Sequence, residues 1–193
     1  MTPKILIFAG SSREGSYNLK LARAAAAEAR AEGAQVTQIE LSDYPLPVYN
    51  ADLEKAEGLP ENAKKLKDLF KSHRAVFIAS PEYNAGVTPL LKNTLDWVSR
   101  KGEDEAGLLA YRGNVFAIGS AAPGAFGGMR SLLMLRQILM LGAGALVIPE
   151  QVVVARAADA FADDGSLAVE ATAKMLKSQI SRLIEVAQAL HPG

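Results

Sequence analysis

The chain has 193 residues, no cysteine, two histidines and equal numbers of basic and acidic side chains, 21 of each. One domain with a large core is the expected size class, and zero net charge removes any global field that would gather nucleic acid or an anionic membrane. Disulfides, thiolate metal sites and a cysteine nucleophile are excluded, and a cysteine-free chain suits a soluble protein of the reducing cytoplasm.

The segment Met1 to Gly10 carries an apolar run too short for a secretory core, so Ile5 to Ala9 is predicted as a buried strand. Gly10-Ser11-Ser12-Arg13-Glu14-Gly15-Ser16-Tyr17-Asn18 follows and leads into a helix over Leu19 to Glu32. Hydroxyls, free amides and a guanidinium at a positive helix end suit a phosphate. With glycines only at 10 and 15, the loop is neither a Walker A loop nor a Gly-x-Gly-x-x-Gly turn, which argues against nucleotide hydrolysis. The competing reading is simple helix capping by Ser16 or Asn18. Gln35 to Leu41 reads as a weaker strand, and the proline-bearing connection Asp43 to Pro60 as an extended surface segment.

A helix over Glu61 to Lys71 and a strand over Val76 to Ala79 come next. The turn Ser80-Pro81-Glu82-Tyr83-Asn84-Ala85-Gly86 then precedes a helix over Leu90 to Arg100, at the strand end where open α/β sheets bind ligands. Glu82 reads as a solvated or helix-capping carboxylate rather than an acid catalyst, Tyr83 as a stacking group or a cover for the sheet edge, and Trp97 as core or interface. Val115 to Ile118 is a strand, followed by a glycine-rich loop and a helix over Met129 to Leu141 that is apolar almost all round. That helix implies a partner subunit, unless one chain buries it entirely. Arg136, Gln137, Gly142 and Gly144 argue against a membrane span there. Ala145 to Ile148, extended through Val154, is the last strand, and Ala168 to Leu190 the last helix. His73 and His191 sit near helix ends, where bonds to terminal carbonyls are expected.

Strict alternation of strands and helices predicts a single α/β domain over residues 1 to 193. It is a flavodoxin-like doubly wound parallel sheet of five strands, order 2-1-3-4-5, with helices on both faces and a ligand at the switch point between strands one and three.

Four stretches together resemble the NADPH-dependent FMN reductase family, which includes bacterial chromate and quinone reductases. They are the first loop, Leu46-Pro47-Val48-Tyr49-Asn50-Ala51-Asp52-Leu53-Glu54, Ser80 to Asn84 with Leu91-Lys92-Asn93-Thr94-Leu95-Asp96-Trp97, and Gly119-Ser120 with Gly127-Gly128-Met129-Arg130. The resemblance implies FMN and NAD(P)H as cofactors. Ser11, Arg13, Ser16, Asn18 and Leu19 would hold the FMN phosphate and ribityl chain. Pro81, Glu82, Tyr83 and Asn84 would border the isoalloxazine, with an amide of residues 82 to 84 near N5 or O4, and Ser120 would contact the flavin. Gly127 and Gly128 either approach the ring or only end the loop. No catalytic side chain is nominated, because the flavin carries the redox chemistry. The implied activity is ping-pong NAD(P)H-dependent reduction of quinones, with chromate, azo compounds or free flavin as further oxidants. A homodimer or homotetramer is implied as well, with Trp97 and residues 44 to 54 completing a neighbour's site. The alternatives are a flavodoxin-like single-electron carrier, which the neutral charge disfavours, and a binding protein without turnover.

Overall fold

The computed structural model describes residues 3–102 and 107–191; Met1 and Thr2, read above as the lead-in to the first strand, lie outside the described residues. In chain order the elements are β1 (Lys4–Ala9), α1 (Tyr17–Ala31), β2 (Gln35–Gln38), α2 (Ala51–Glu57), α3 (Glu61–Ser72), β3 (Ala75–Ala79), α4 (Pro89–Val98), α5 (Leu109–Arg112), β4 (Val115–Ala121), α6 (Met129–Gln137), β5 (Leu146–Val154) and α7 (Glu170–Leu190). The five strands form one sheet in the order β2-β1-β3-β4-β5, and every neighbouring pair is parallel.

The β-branched and aromatic runs become strands because both sheet faces are covered. Ile5, Ile7, Phe77 and Ala117 point into the layer under α1 and α7, while Leu6, Phe8, Val76, Ile78 and Phe116 point into the opposite layer with α3 to α6. That period of two is the strand pleat. In the second layer the Phe70 ring meets Phe8, Tyr111 and Phe116 at centroid distances of 5.8, 5.7 and 6.2 Å. Full burial of such a ring contributes about 1.5–3 kcal/mol. The chain leaves β1 toward one layer and β3 toward the other, which opens a crevice between them at the carboxyl edge of the sheet.

The structure corrects several element boundaries. The Asp43 to Pro60 connection is not extended throughout, because it contains α2. Asn50 caps that helix by accepting from the amides of Asp52 at 2.8 Å and Leu53 at 3.4 Å. β2 ends at Gln38, since Leu41–Asp43 turns into a short 3-10 helix that buries Leu41. α5 has no strong sequence signal. α6 closes at Gln137 and continues as a π turn over Ile138–Gly142.

β5 is continuous but bulged. Phe116 pairs with Val147 and Ile118 with Gln151, so Ile148, Pro149 and Glu150 oppose Ala117 alone. The carbonyls freed by the bulge are taken up from both layers. Arg136 donates to Ile148 O at 2.9 Å, and Gln179 donates to Glu150 O at 3.0 Å and Ile118 O at 2.9 Å.

His191 Nε2 bonds the Gly113 carbonyl at 2.9 Å. His73 bonds the Leu69 carbonyl through Nδ1 at 2.6 Å and the Thr37 hydroxyl through Nε2 at 2.7 Å, tying the end of α3 to β2. Burial pushes the His73 pKa below the ordinary imidazole range; the Leu69 bond opposes this and the Lys4 charge adds to it. The unfolded chain therefore takes up this proton more readily than the folded one. His73 contributes its full stability above about pH 6.5, the ordinary imidazole value, and loses it as pH falls through the lower folded value. Urea midpoints should fall between neutral and mildly acidic pH, and His73→Gln should flatten that dependence. A slope unchanged in the variant would refute the assignment.

Candidate functional site

Three loops leave the carboxyl edge after β1, β3 and β4, and buried side chains bolt them together. The first loop turns on a bond from Ser16 N to Arg13 O at 3.1 Å and delivers the chain to α1. Ser16 is the N-cap residue, yet no side chain caps α1 and its first turn holds no acid among the described residues. Its first amides, which have no carbonyl one turn earlier to bond, stand as unused donors at the positive end of the helix dipole. Arg13 is exposed, with its guanidinium on the Glu14 carbonyl at 3.2 Å. A cleft of about 350 Å³ lies beside this loop, bordered by Ser12, Arg13, Ser16, Leu19, Lys20 and Arg23.

Asn18 does not serve as a cap. Its side chain is buried and pairs with the main chain of Ala121 in both directions: Nδ2 donates to Ala121 O at 2.8 Å, and Ala121 N donates to Oδ1 at 3.0 Å. The first helix is thereby locked to the end of β4. Thr88 links the first loop to the second. Its hydroxyl donates to Gly10 O at 2.7 Å and accepts from Leu91 N at 3.2 Å, which caps α4.

The second loop folds into a tight hairpin, in which Tyr83 N donates to Gly86 O at 3.0 Å and Gly86 N to Tyr83 O at 2.9 Å. Both central residues, Asn84 at φ 50° and Ala85 at φ 65°, are left-handed, which costs a non-glycine residue about 1–2 kcal/mol. Such strain concentrates at functional sites. Among residues 82 to 84, the Tyr83 amide is thus already engaged within the turn.

Glu82 reaches from the second loop to the start of α6. Its Oε2 accepts from Arg130 N at 3.1 Å, and its Oε1 accepts from Arg130 Nε at 2.8 Å and from Nη2. Burial pushes Glu82 upward, but the Arg130 side chain and the amides of Arg130 and Ser131 outweigh it and hold the carboxyl below its ordinary range. The helix-capping role is the observed one, on α6. Ser131 adds a bond from its hydroxyl to Ser80 O at 3.3 Å.

At the end of β4, just before the third loop, Ser120 is fully buried, and its Oγ is an orphan, without a hydrogen-bond partner among the described residues. Gly128, at φ 88°, lies directly over it and is the N-cap residue of α6. Pro81 and Leu19 are buried, while Tyr83 and Asn84 are exposed. The sequence-derived residues therefore converge on one edge of the sheet, but in two kinds of position. Ser11, Arg13, Tyr83, Asn84 and the amides of the first helical turn are available to a ligand, whereas Asn18, Glu82 and Ser120 sit behind the loop surface.

Sequence reasoning missed a clamp beside the site. Pro47 O accepts from Asn93 Nδ2 at 2.9 Å and from the Trp97 indole at 2.7 Å, while Tyr49 N donates to Asn93 Oδ1 at 2.8 Å. The Tyr49 ring stands edge-on to Trp97 at 5.1 Å, and its hydroxyl donates to Glu54, which also receives Arg100 Nε. Trp97 is fully buried by this clamp, so it is core and does not reach a neighbour. The signal lay in two motifs of the chain, Leu46 to Glu54 and Leu91 to Trp97, that are now seen to bind each other.

Residues 3–159 match the family model described as NADPH-dependent FMN reductase. A quinone reductase of Pseudomonas putida is 37% identical over 164 residues, spanning 84% of this chain and 83% of its own. An NAD(P)H-dependent FMN reductase of Pseudomonas aeruginosa is 34% identical over 182 residues, spanning 93% and 92%. Among solved structures, the flavoenzyme NAD(P)H:(acceptor) oxidoreductase FerB of Paracoccus denitrificans superposes with a TM-score of 0.80 at 28% identity, covering 97% of this chain and 98% of its own.

Proposed function

The chain belongs to the NADPH-dependent FMN reductase family, and from that premise we propose that it is a quinone reductase in which one FMN-binding domain spans residues 1 to 193. The carrying observation is the set of three cross-tied loops around an uncapped, acid-free helix end at the switch point of the sheet.

The residues present fit FMN. The Ser11 and Ser16 hydroxyls, the Arg13 guanidinium and the first-turn amides of Asn18 and Leu19 would hold the phosphate and ribityl end. The hairpin from Pro81 to Asn84 would border the ring, with the amides of Glu82 and Asn84 as donors that have no partner among the described residues. Bound FMN supplies hydride acceptance from NAD(P)H and two-electron reduction of the acceptor. The protein binds and orients: Glu82 keeps the hairpin docked on α6, Asn18 keeps the first helix on β4, and Ser120 supports Gly128 from below. We place nicotinamide and acceptor at the same exposed opening in turn, which gives parallel double-reciprocal plots. Quinones are the preferred oxidants, with chromate, azo compounds and free flavin reduced at the same opening.

Leu133, Met140 and Leu141 stay largely exposed on and after α6, which supports a homodimer or homotetramer built on that face. No helix is long and apolar enough to cross a membrane among the described residues, and the chain has no cysteine to oxidise. The proposed location is the cytoplasm.

The deciding experiment is anaerobic stopped-flow absorbance of FMN-loaded protein mixed separately with NADPH and NADH, then with a benzoquinone. Rapid bleaching followed by quinone-driven recovery is expected, and the two rates rank the donors. Tight FMN binding with no bleaching by either nucleotide would point instead to a carrier or binding protein.

A further inference from the structure

We propose that Arg130, with Phe126 beside it, selects acceptors that are flat, aromatic and negatively charged. The inference rests on the reductase reading for the existence of an acceptor and on separate observations for its chemistry. The Glu82–Arg130 pair is asymmetric toward solvent, with the Glu82 side chain 9% exposed and that of Arg130 54%. Its negative end is buried against the start of α6 while its positive end faces water, so an approaching ligand meets a cation.

Only part of the guanidinium is engaged. Nε and Nη2 serve Glu82, and Nη1 carries no hydrogen bond among the described residues. The guanidinium carbon lies 5.7 Å from the centre of the Phe126 ring, and Phe126 itself is 65% exposed. An open aromatic ring thus lies against a cation whose planar donor face is half free, at the junction of the second and third loops. An aromatic acceptor would stack on the Phe126 ring, and a sulfonate or carboxylate on it would take the charge-assisted bond that the planar fork favours. An uncharged acceptor would gain only the stacking.

The test is equilibrium binding, so it needs no turnover. Naphthalene-2-sulfonate and uncharged 2-naphthol are titrated calorimetrically into FMN-loaded protein. In the wild type the sulfonate should bind about fivefold more tightly at low salt, and the gap should narrow as salt screens the charge. Arg130→Gln should close the gap. Arg130→Lys, which keeps the charge and loses the fork, should retain most of it and keeps the test open if the glutamine variant folds poorly. Equal affinities in the wild type, or a gap that survives in Arg130→Gln, would overturn the proposal. A protein that discriminates the two ligands but reduces no quinone would instead count against the reductase reading alone.

Discussion

Gly127→Ala is expected to lower the Tm by about 6–15 °C and to empty the protein of FMN at concentrations that saturate the wild type, while Gly124→Ala in the same loop stays close to wild type in both. Gly127 stands at φ 57°, where an L side chain costs about 1–2 kcal/mol. A Cβ there would lie 2.5 Å from Val153 Cγ1, 2.8 Å from Ala155 N and 3.0 Å from Val154 C. Two of those three atoms are main chain of the β5 end, which cannot rotate away, so the loop or the strand must shift; overpacking of this kind costs about 1–3 kcal/mol more. The shift would fall on the third loop, which Asn18 and Glu82 hold against the other two. At Gly124 a Cβ meets nothing within 4 Å among the described residues, so the contrast separates backbone crowding from a general intolerance of the loop. Differential scanning calorimetry with and without FMN reads both effects. Equal Tm values for the two variants would refute the packing argument.

The fold was legible because its signals are local. Runs such as Val76 to Ala79 lie between helix-period segments, and the serine, glycine and proline clusters mark where the chain leaves each strand. The capping role of Glu82 was legible as chemistry, but not its target, since Arg130 lies 48 residues on. Asn18 and Ala121 are separated by 103 residues, and no periodicity couples positions that far apart. The Tyr49 and Trp97 clamp shows the same limit, as each half reads as a motif and only the fold makes them one contact. α2 failed for a different reason. Asn50, Asp52, Glu54 and Gly58 spell a capped helix, but Pro45, Pro47 and Pro60 outweighed them in the reading. Those prolines lie outside the helix and only delimit it.

Asn18→Leu should destabilise the protein by about 2–5 kcal/mol, because both the amide and the carbonyl of Ala121 lose their partner in a buried setting, at about 1–3 kcal/mol each. Leucine keeps the volume and the helix propensity, so the loss reports the pairing rather than a cavity. FMN affinity should fall by about tenfold or more, since part of the binding free energy must then re-dock α1 on β4. Asn18→Asp makes the assignment sharper. An ionised aspartate can still accept from Ala121 N but sets a charge against Ala121 O, whereas a protonated one restores the donor. The folded state therefore favours the protonated form and raises that carboxyl's pKa, so the stabilising contact is present at acid pH and lost as pH rises. The variant should approach wild-type stability near about pH 4 and diverge from it toward neutrality. Denaturant midpoints of both proteins across that range test this directly. A constant difference at every pH would mean that Asn18 acts by shape alone and that the donor to Ala121 O contributes nothing to holding the first and third loops together.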